Sequence, residues 1–447
     1  MSDLMSIGAS GVRAYQSALT TVSENIANTG TAGYSRRTTN LSEVSAAIGV
    51  NQPPSAPGNG VLVSGISSSA DPQRSAAVRS AGSDLAKTES GIQWLSSIDG
   101  ALTGSQLGDR LTSFFTSAQA VAADPTASAP RATMLENASA VADAFTATGA
   151  ALDQADTDLD SSANAAVTNL DGLASALARI NDGLSRTQSG TSAAAQLGDQ
   201  RDQILESMSA ITDVSVTLDA AGRATVRLGG AGGPALVAGS DAGTVAYSRN
   251  DEGGVAFSVH RAGEVSSFTP SGGVLAGVAD GAQRIADTRQ QVNALASDFT
   301  SGVNAVQAQG RDLDGNPGAA MFTTGDSPTD VTMTLHDPNG IAAASAGGGT
   351  RDNSNLQALA TLRSSGNYET RLTGITADNA ATLAQRQTVA GAQATIHDGA
   401  VSARDSASGV NLDSEAVDLM RFQQAYSASS RVIQVARETF QSILDIQ

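Results

Sequence analysis

Three histidines, His260, His336 and His397, are the only imidazoles in the 447-residue chain. They lie on separate segments, without the close spacing that ligands of one metal ion need, and each reads as a lone surface or strand histidine. There is no cysteine, so disulfides and thiolate metal sites are excluded. The nearest approach to a cation loop is Asp312, Asp314 and Asn316, which have the spacing of the first half of a calcium-binding loop. Pro317 stands where that loop needs glycine and Thr323 where it needs an acid, so a polar turn is the better account. Gly229 to Pro234, a Gly-Gly-Ala-Gly-Gly-Pro run, follows a strand pattern but leads into proline rather than a helix N-terminus, which makes it a loop and not a phosphate cradle. No Gly-x-Ser-x-Gly elbow supports serine nucleophile chemistry. The residue types therefore offer no catalytic, cofactor-binding or metal-binding set, and the expectation is a protein that is not an enzyme and takes no cofactor.

What the chain carries instead is helical spacing at both ends. Met5, Gly8, Val12, Tyr15, Leu19, Val22 and Ile26 step by three and four residues, which keeps one seam of an α-helix facing a partner. Leu412, Leu419, Phe422, Tyr426, Ile433, Ala436, Phe440 and Ile443 do the same, with Glu415 and Ser429 at polar positions in the register. Val417, Met420, Ala425, Val432, Val435 and Leu444 fall off that seam, so more than one face of the second helix is apolar. Isolated helices are marginal in water without a packed face. The plain alternative is a helical hairpin capping an ordinary globular domain. Asn28, Gly30 and Gly33 are placed to end the first helix through left-handed backbone, an extended segment follows from Tyr34, and a turn at Gly409 with a cap at Asp413 starts the second helix.

The elements between divide into helical and β parts. Helical patterns dominate from Gln73 to about Thr212, interrupted at Asp124-Pro125 and Ala129-Pro130, where proline ends one helix and begins another. A second helical block spans Gly273 to Gln309 and a third Asn355 to Arg404. Between the first two lies a strand-rich insert. Val214, Val216, Leu218 and then Ala224, Val226, Leu228 alternate about an Asp-Ala-Ala-Gly turn at Asp219 to Gly222, which reads as a hairpin. Shorter strands are expected near Val245 to Tyr247 and Val255 to Val259, separated by the Asp251 to Gly254 loop.

The net charge of −18 leaves no basic stripe to neutralise phosphates, which disfavours nucleic acid and anionic membrane surfaces. No stretch is long and apolar enough to span a membrane, and the start lacks a secretory signal pattern. With only 9 Phe, 5 Tyr and 1 Trp, cores must be built mainly from Ala, Leu, Val and Ile.

The Asn25 to Arg37 run NIANTGTAGYSRR and the Ser408 to Leu444 run, with Asn411-Leu412-Asp413 and LMRFQQAY at Leu419 to Tyr426, resemble the ends of the flagellar axial proteins, and within them the hook-and-filament junction family. Phe114 to Pro125 with Arg131, Met134 and Leu135, QLGDQRDQIL at Gln196 to Leu205, Gly272 to Gly277 and Gly310 to Phe322 resemble landmarks of that family in the same order. The chain departs from longer members, which place an extra domain after the position of Phe322. The resemblance implies a mainly α, elongated multidomain axial protein with a β-rich insert. Residues 1–48 and 405–447 would form an antiparallel coiled-coil core lining an inner tube, 49–212 and 273–404 a helical middle domain, and 213–272 a small β subdomain. It implies an assembly interface of Val12, Tyr15, Leu19, Val22, Asn25, Ile26, Asn28, Leu412, Leu419, Phe422, Tyr426, Ile433, Phe440 and Ile443. The implied partners are copies of the chain, hook protein, other hook-associated proteins beside the filament, and an export chaperone on the C-terminal helix; neither nucleic acid nor membrane insertion is implied. The implied location is outside the cell in the flagellum, reached through the flagellar export apparatus without a cleaved signal.

Overall fold

The computed structural model describes residues 2–44, 60–250 and 253–445; of residues 2, 3, 443 and 444 only the backbone is described. The boundary expected at 48/49, the first half of the 251–254 loop and the side chain of Ile443 lie outside the described residues. In chain order come α1 (Ser2–Ala27), β1 (Arg37–Glu43), β2 (Val61–Ser68), α2 (Pro72–Gly104), α3 (Leu107–Ala123), α4 (Ser128–Arg186) and α5 (Ser192–Ile211). Strands β3 (Val214–Leu218), β4 (Ala224–Leu228), β5 (Ala235–Ala238), β6 (Asp241–Ala242), β7 (Thr244–Arg249), β8 (Val255–Arg261) and β9 (Glu264–Phe268) follow. The chain closes with α6 (Gly273–Gln309), β10 (Phe322–Thr324), β11 (Val331–Met333), α7 (Ser354–Gly366), α8 (Tyr368–Ser408) and α9 (Leu412–Leu444).

The helical body is built from α2 to α8. Helix α2 starts where Asp71 accepts hydrogen bonds from the amides of Gln73 (2.9 Å) and Arg74 (3.3 Å), with Pro72 in the first turn where its missing N–H costs nothing. The 59-residue α4 is the spine, and its apolar positions, among them Met134, Phe145, Leu152, Leu159, Leu170 and Leu177, are buried along its whole length. Of the few aromatic residues, Phe114, Phe115, Phe145, Phe299, Phe322 and Tyr368 meet at one point of the core, with Phe114 edge-on to Phe299 at 5.4 Å and Tyr368 stacked on Phe115 at 6.1 Å. Gly281 meets Trp94 so closely that a Cβ there would fall 2.4 Å from the indole. Arg131, fully buried on α4, donates to the carbonyls of Pro125 (2.6 Å), Pro338 (2.9 Å) and Ile341 (3.0 Å), clamping the 338–341 turn to the body.

The β insert forms two antiparallel sheets, β3-β4-β5-β6 and β7-β8-β9. Both rest on α4. Asn181, fully buried, bonds the backbone of Ala224 through both ends of its amide, and Asp171 accepts from the amide of Val245 at 2.8 Å. Arg249 reaches Asp156 (2.9 Å) and Asp160 (2.7 Å), fixing β7 to the same helix.

Several elements differ from the sequence reading. The helical run from Gln73 is also broken at Ser105-Gln106 and at 187–191, and the third block at Asn367; Gln106 and Asn367 take left-handed φ of 54° and 46°. Strand β2 lies in a segment expected to belong to the helical domain; it pairs antiparallel with β1 across a bulge at Asn40/Leu41. Strands β5, β6 and β9 complete sheets of which only the hairpin and two short strands were foreseen. The cap of α9 is Asn411, whose side chain accepts from the amides of Asp413 (3.0 Å) and Ser414 (3.2 Å), rather than Asp413. Helix α8 continues to Ser408, past the boundary expected at 404/405.

Candidate assembly interface

Helices α1 and α9 lie antiparallel against each other. Gly8 faces Ile433, Gly11 faces Ser429, Tyr15 meets Phe422 with ring centroids 6.4 Å apart, and Asn25 reaches Glu415. A Cβ on Gly8 would stand 2.7 Å from Cγ1 of Ile433, and one on Gly11 2.6 Å from Oγ of Ser429. A side chain at either position would force its neighbour on α9 to shift. The buried line on α1 is accordingly made of small and polar residues, Gly8, Gly11, Ala14, Ala18, Thr21 and Asn25, joined by Val22.

The seam drawn from the sequence coincides with the contact in part: Gly8 and Val22 on α1 and Glu415, Ser429, Ile433 and Ala436 on α9 lie on it, whereas the rest of the α1 line is turned toward Gly11, Ala14, Ala18 and Asn25. Val12, Tyr15 and Leu19 are half-buried at its edge, Asn28 is half-buried beyond it, and Ile26 is exposed. On α9, Leu419, Phe422 and Ile433 are half-buried, whereas Leu412, Tyr426 and Phe440 are exposed; Glu415 and Ala436 are the buried residues. The reason is steric. The closest contact between two helices goes to the smallest side chains, and the larger ones flank it. Leu4, Met5, Ile26, Leu412, Val417, Met420, Val432, Val435 and Phe440 thus remain in solvent on the outside of the pair, where most of the exposed large apolar side chains among the described residues gather. Large apolar side chains gathered in solvent on one face are uncommon in monomeric soluble proteins.

The base of the pair is a polar knot. Asn25, fully buried, donates to the carbonyl of Arg37 (2.8 Å) and to Oε2 of Glu415 (3.0 Å), and accepts from the amide of Arg37 (3.0 Å) and the hydroxyl of Tyr34 (2.9 Å). Glu415, equally buried, is neutralised by Arg36 at 2.6 Å, and Arg36 also holds Asp418 at 3.1 Å. The neighbouring Arg37 turns the other way, to Asp199 (3.1 Å) and Ser192 (3.0 Å) of α5, and its guanidinium stacks over Tyr34. Burial pushes the Asp199 carboxyl up from its ordinary range, with Arg37 and Ser35 opposing, and burial likewise pushes the Tyr34 hydroxyl up. Sequence reasoning placed Asn25 on the interface but missed Glu415, Arg37 and Tyr34 as its partners, and Arg36 as the partner of Glu415. An acid at a seam position, opposite an Arg-Arg pair, was the available signal.

Beside the knot, a cavity of about 540 Å³ separates the 28–35 loop from α2, α5 and the end of α8, lined by Arg79, Asp202, Gln203, Glu206, Arg404 and Asp405 among others.

The residues singled out for possible chemistry stay apart. His260 pairs with Ser258 on β8 at 3.1 Å, His397 packs beside Gly82, and His336 is exposed in the segment after β11. The Asp312 carboxylate is occupied by the amides of Asp314 (2.9 Å) and Asn316 (2.8 Å), closing a turn on itself. The 229–234 run is the loop between β4 and β5. Among the described residues no cluster of three or more His, Cys, Asp or Glu could hold a metal ion, and no helix is long and apolar enough to cross a membrane.

Residues 401–446 match the model of the C-terminal segment of flagellar basal body rod proteins of the FlgE, FlgF and FlgG type. The C-terminal run thus matches a model described for rod proteins, and the finer assignment comes from the interior. Flagellar hook-associated protein 1 of Salmonella typhimurium is 27% identical over 335 residues, covering 73% of this chain and 60% of that protein. The protein of the same name from Escherichia coli K12 is 27% identical over 227 residues, covering 50% and 41%. The chain thus spans about 60% or less of the length of these relatives. The flagellar hook junction protein FlgK of Burkholderia pseudomallei superposes with a TM-score of 0.49 at 24% identity, over 57% of this chain and 46% of that one. Residues 95–322, from the end of α2 to the start of β10, match the model of the helical domain of flagellar hook-associated protein FlgK. With half of its length matched by that model, the chain belongs to the flagellar hook-associated protein FlgK family.

Proposed function

We propose that this protein is a structural adaptor joining the flagellar hook to the filament, acting through assembly rather than catalysis. The observation that carries this reading is the α1–α9 pair: it buries small residues between its helices and leaves Leu4, Met5, Val417, Met420, Val432, Val435 and Phe440 in solvent. Such a surface is costly in a free monomer and is covered when copies of the chain pack side by side. In this reading residues 1–48 and 405–447 form the coiled-coil core of a helical tube, residues 49–212 and 273–404 a middle domain outside it, and residues 213–272 a β subdomain farther out. Hook protein would lie on one side and other hook-associated proteins on the other. The chain would reach the cell exterior through the flagellar export apparatus, with a chaperone on α9.

The test is a strain lacking the gene. It should build hooks, release filament subunits into the medium and fail to swim, and a chain ending before Asn411 should not restore filaments. A chain lacking only Val214 to Phe268 should do better, because that insert lies away from the terminal pair. Full-length filaments on the deletion strain would overturn the junction role. A second reading, a rod or hook subunit, has in its favour the rod-protein match of residues 401–446; hookless cells would support it instead.

A further inference from the structure

The small-residue part of the α1–α9 seam does not by itself select one register. Gly8, Gly11, Ala14 and Ala18 recur along α1 at helical spacing, and the α9 residues at or near the contact include Ser429, Ile433 and Ala436. Gly11 meets Ser429 and Tyr15 meets Phe422. Sliding α1 by one heptad, about 10 Å along α9, would set Gly11 against Ala436 and Tyr15 against Ser429, so that small residues again stand on the contact. The 28–36 connection is long enough to follow such a slip, since each extended residue spans about 3.4 Å, and nothing lies within 4 Å of the position of a Cβ on Gly30.

What separates the registers is the polar knot. Asn25 and Glu415, both fully buried, bond each other at 3.0 Å, and their remaining partners are Arg37, Tyr34 and Arg36 of the segment that follows α1. That segment is itself held to α5 through Arg37, which reaches Asp199 and Ser192. In the slipped register Asn25 would face Phe422 in place of Glu415. A slip the other way would set Glu415 against Ala18. Either leaves a buried amide or carboxylate without its partners, which is costly. Replacing such a buried polar set by apolar residues is often neutral or stabilising, because its own desolvation offsets much of its bonding. Its effect is instead to discriminate against wrong alignments, as a single buried Asn does in a coiled coil.

We propose that Asn25 and Glu415 are positioning residues that lock α9 against α1 in this one register. The register has an outward consequence: Leu4 and Met5 of α1 and Val435 and Phe440 of α9, all exposed, stand side by side only while it holds, so the lock aligns the face that neighbouring copies cover in the reading above. The lock itself lies within one chain and is tested without assembly, so it stands or falls separately from the junction role. The chain has no cysteine, so spin labels attach only where cysteines are introduced. Thr20→Cys on α1 and Gln434→Cys on α9, both exposed, are staggered along the pair, and a slip of one heptad changes their separation by roughly 10 Å. Pulsed electron double resonance on the full-length chain should give one distance. Asn25→Leu combined with Glu415→Leu should keep the helix content read by circular dichroism and add a second distance, shifted by roughly 10 Å. Thr21→Val, on the same buried line of α1 but outside the knot, should keep the single distance. Several distances or a broad distribution in the parent chain, one unchanged distance in the double variant, or a second distance in Thr21→Val would each overturn the lock. Loss of helix content in the double variant would overturn it too, since the knot would then supply stability and not register.

Discussion

Asn25 and Asn28 occupy the two ends of the same Asn-Ile-Ala-Asn run, and the structure separates them sharply. Asn25→Ala removes two donated and two accepted hydrogen bonds at a position with no solvent exposure. At about 1 kcal/mol for each of the three neutral bonds and about 2 kcal/mol for the one to the Glu415 carboxylate, the loss is about 5 kcal/mol if nothing relaxes; solvent entering the gap reduces it to roughly 3 kcal/mol. Asn28→Ala removes only the bond to the Glu24 carbonyl (2.8 Å), within its own turn and half in solvent. That loss is about 0.5 kcal/mol. The effect of Asn25→Ala should be confined to the terminal unit, because the apolar cluster of the body excludes it. Hydrogen exchange followed by mass spectrometry reads both variants: amides of α1 and α9 near the knot should exchange roughly 100-fold faster in Asn25→Ala, about twofold faster in Asn28→Ala, and unchanged along α4 in either. In the parent chain, protection should fall from the knot toward the tips at Leu4 and Phe440, where ordering entropy is not offset by burial. Acceleration below about tenfold in Asn25→Ala, or equal effects of the two variants, would refute the argument that the buried amide ties the terminal helices to the chain.

Other expectations follow from single contacts. Val435→Asp places a charge at a 59% exposed position, so the monomer's melt should hardly change while incorporation into filaments is lost; normal incorporation would remove that face from the interface. Gly281→Ala puts a methyl 2.4 Å from the indole of Trp94, which should cost about 1–3 kcal/mol by overpacking and shift the emission of the chain's single tryptophan; an unshifted spectrum with an unchanged melt would contradict it. The Asp352 carboxylate accepts from the hydroxyls and amides of Ser345 and Ser354, which hold its carboxyl well below the usual range. A depressed folded value means its contribution is complete above the unfolded pKa and is lost as pH falls through the folded one, so carbon-detected NMR should find Asp352 still ionised where exposed aspartates have protonated, and Asp352→Asn should remove that difference.

Where local chemistry decides an element, the sequence located it closely. Helix α6 begins and ends at Gly273 and Gln309 as its pattern implies, and the β3–β4 hairpin follows from alternating Val and Leu about the 219–222 turn, whose Asp219 accepts from the amides of Ala221 and Arg223. Elements stabilised from a distance were not legible. Strand β2 exists because β1 pairs with it, and the breaks at Gln106 and Asn367 rest on left-handed residues that are neither glycine nor followed by proline. Helical spacing marked α1 and α9 as partners, but periodicity weighs side chains by hydrophobicity, while two helices meet through whichever residues let their backbones come closest. Gly8, Gly11, Ala14 and Ala18 therefore took the seam, and the larger residues were turned to its edges or to solvent. The sequence by itself determined the long helices, the first hairpin and the order of helical blocks about a β insert. Tertiary structure alone decided which face of each terminal helix is left uncovered, and that Asn25 is satisfied by a glutamate 390 residues away, since a buried amide takes its partners from space and not from neighbours in the chain.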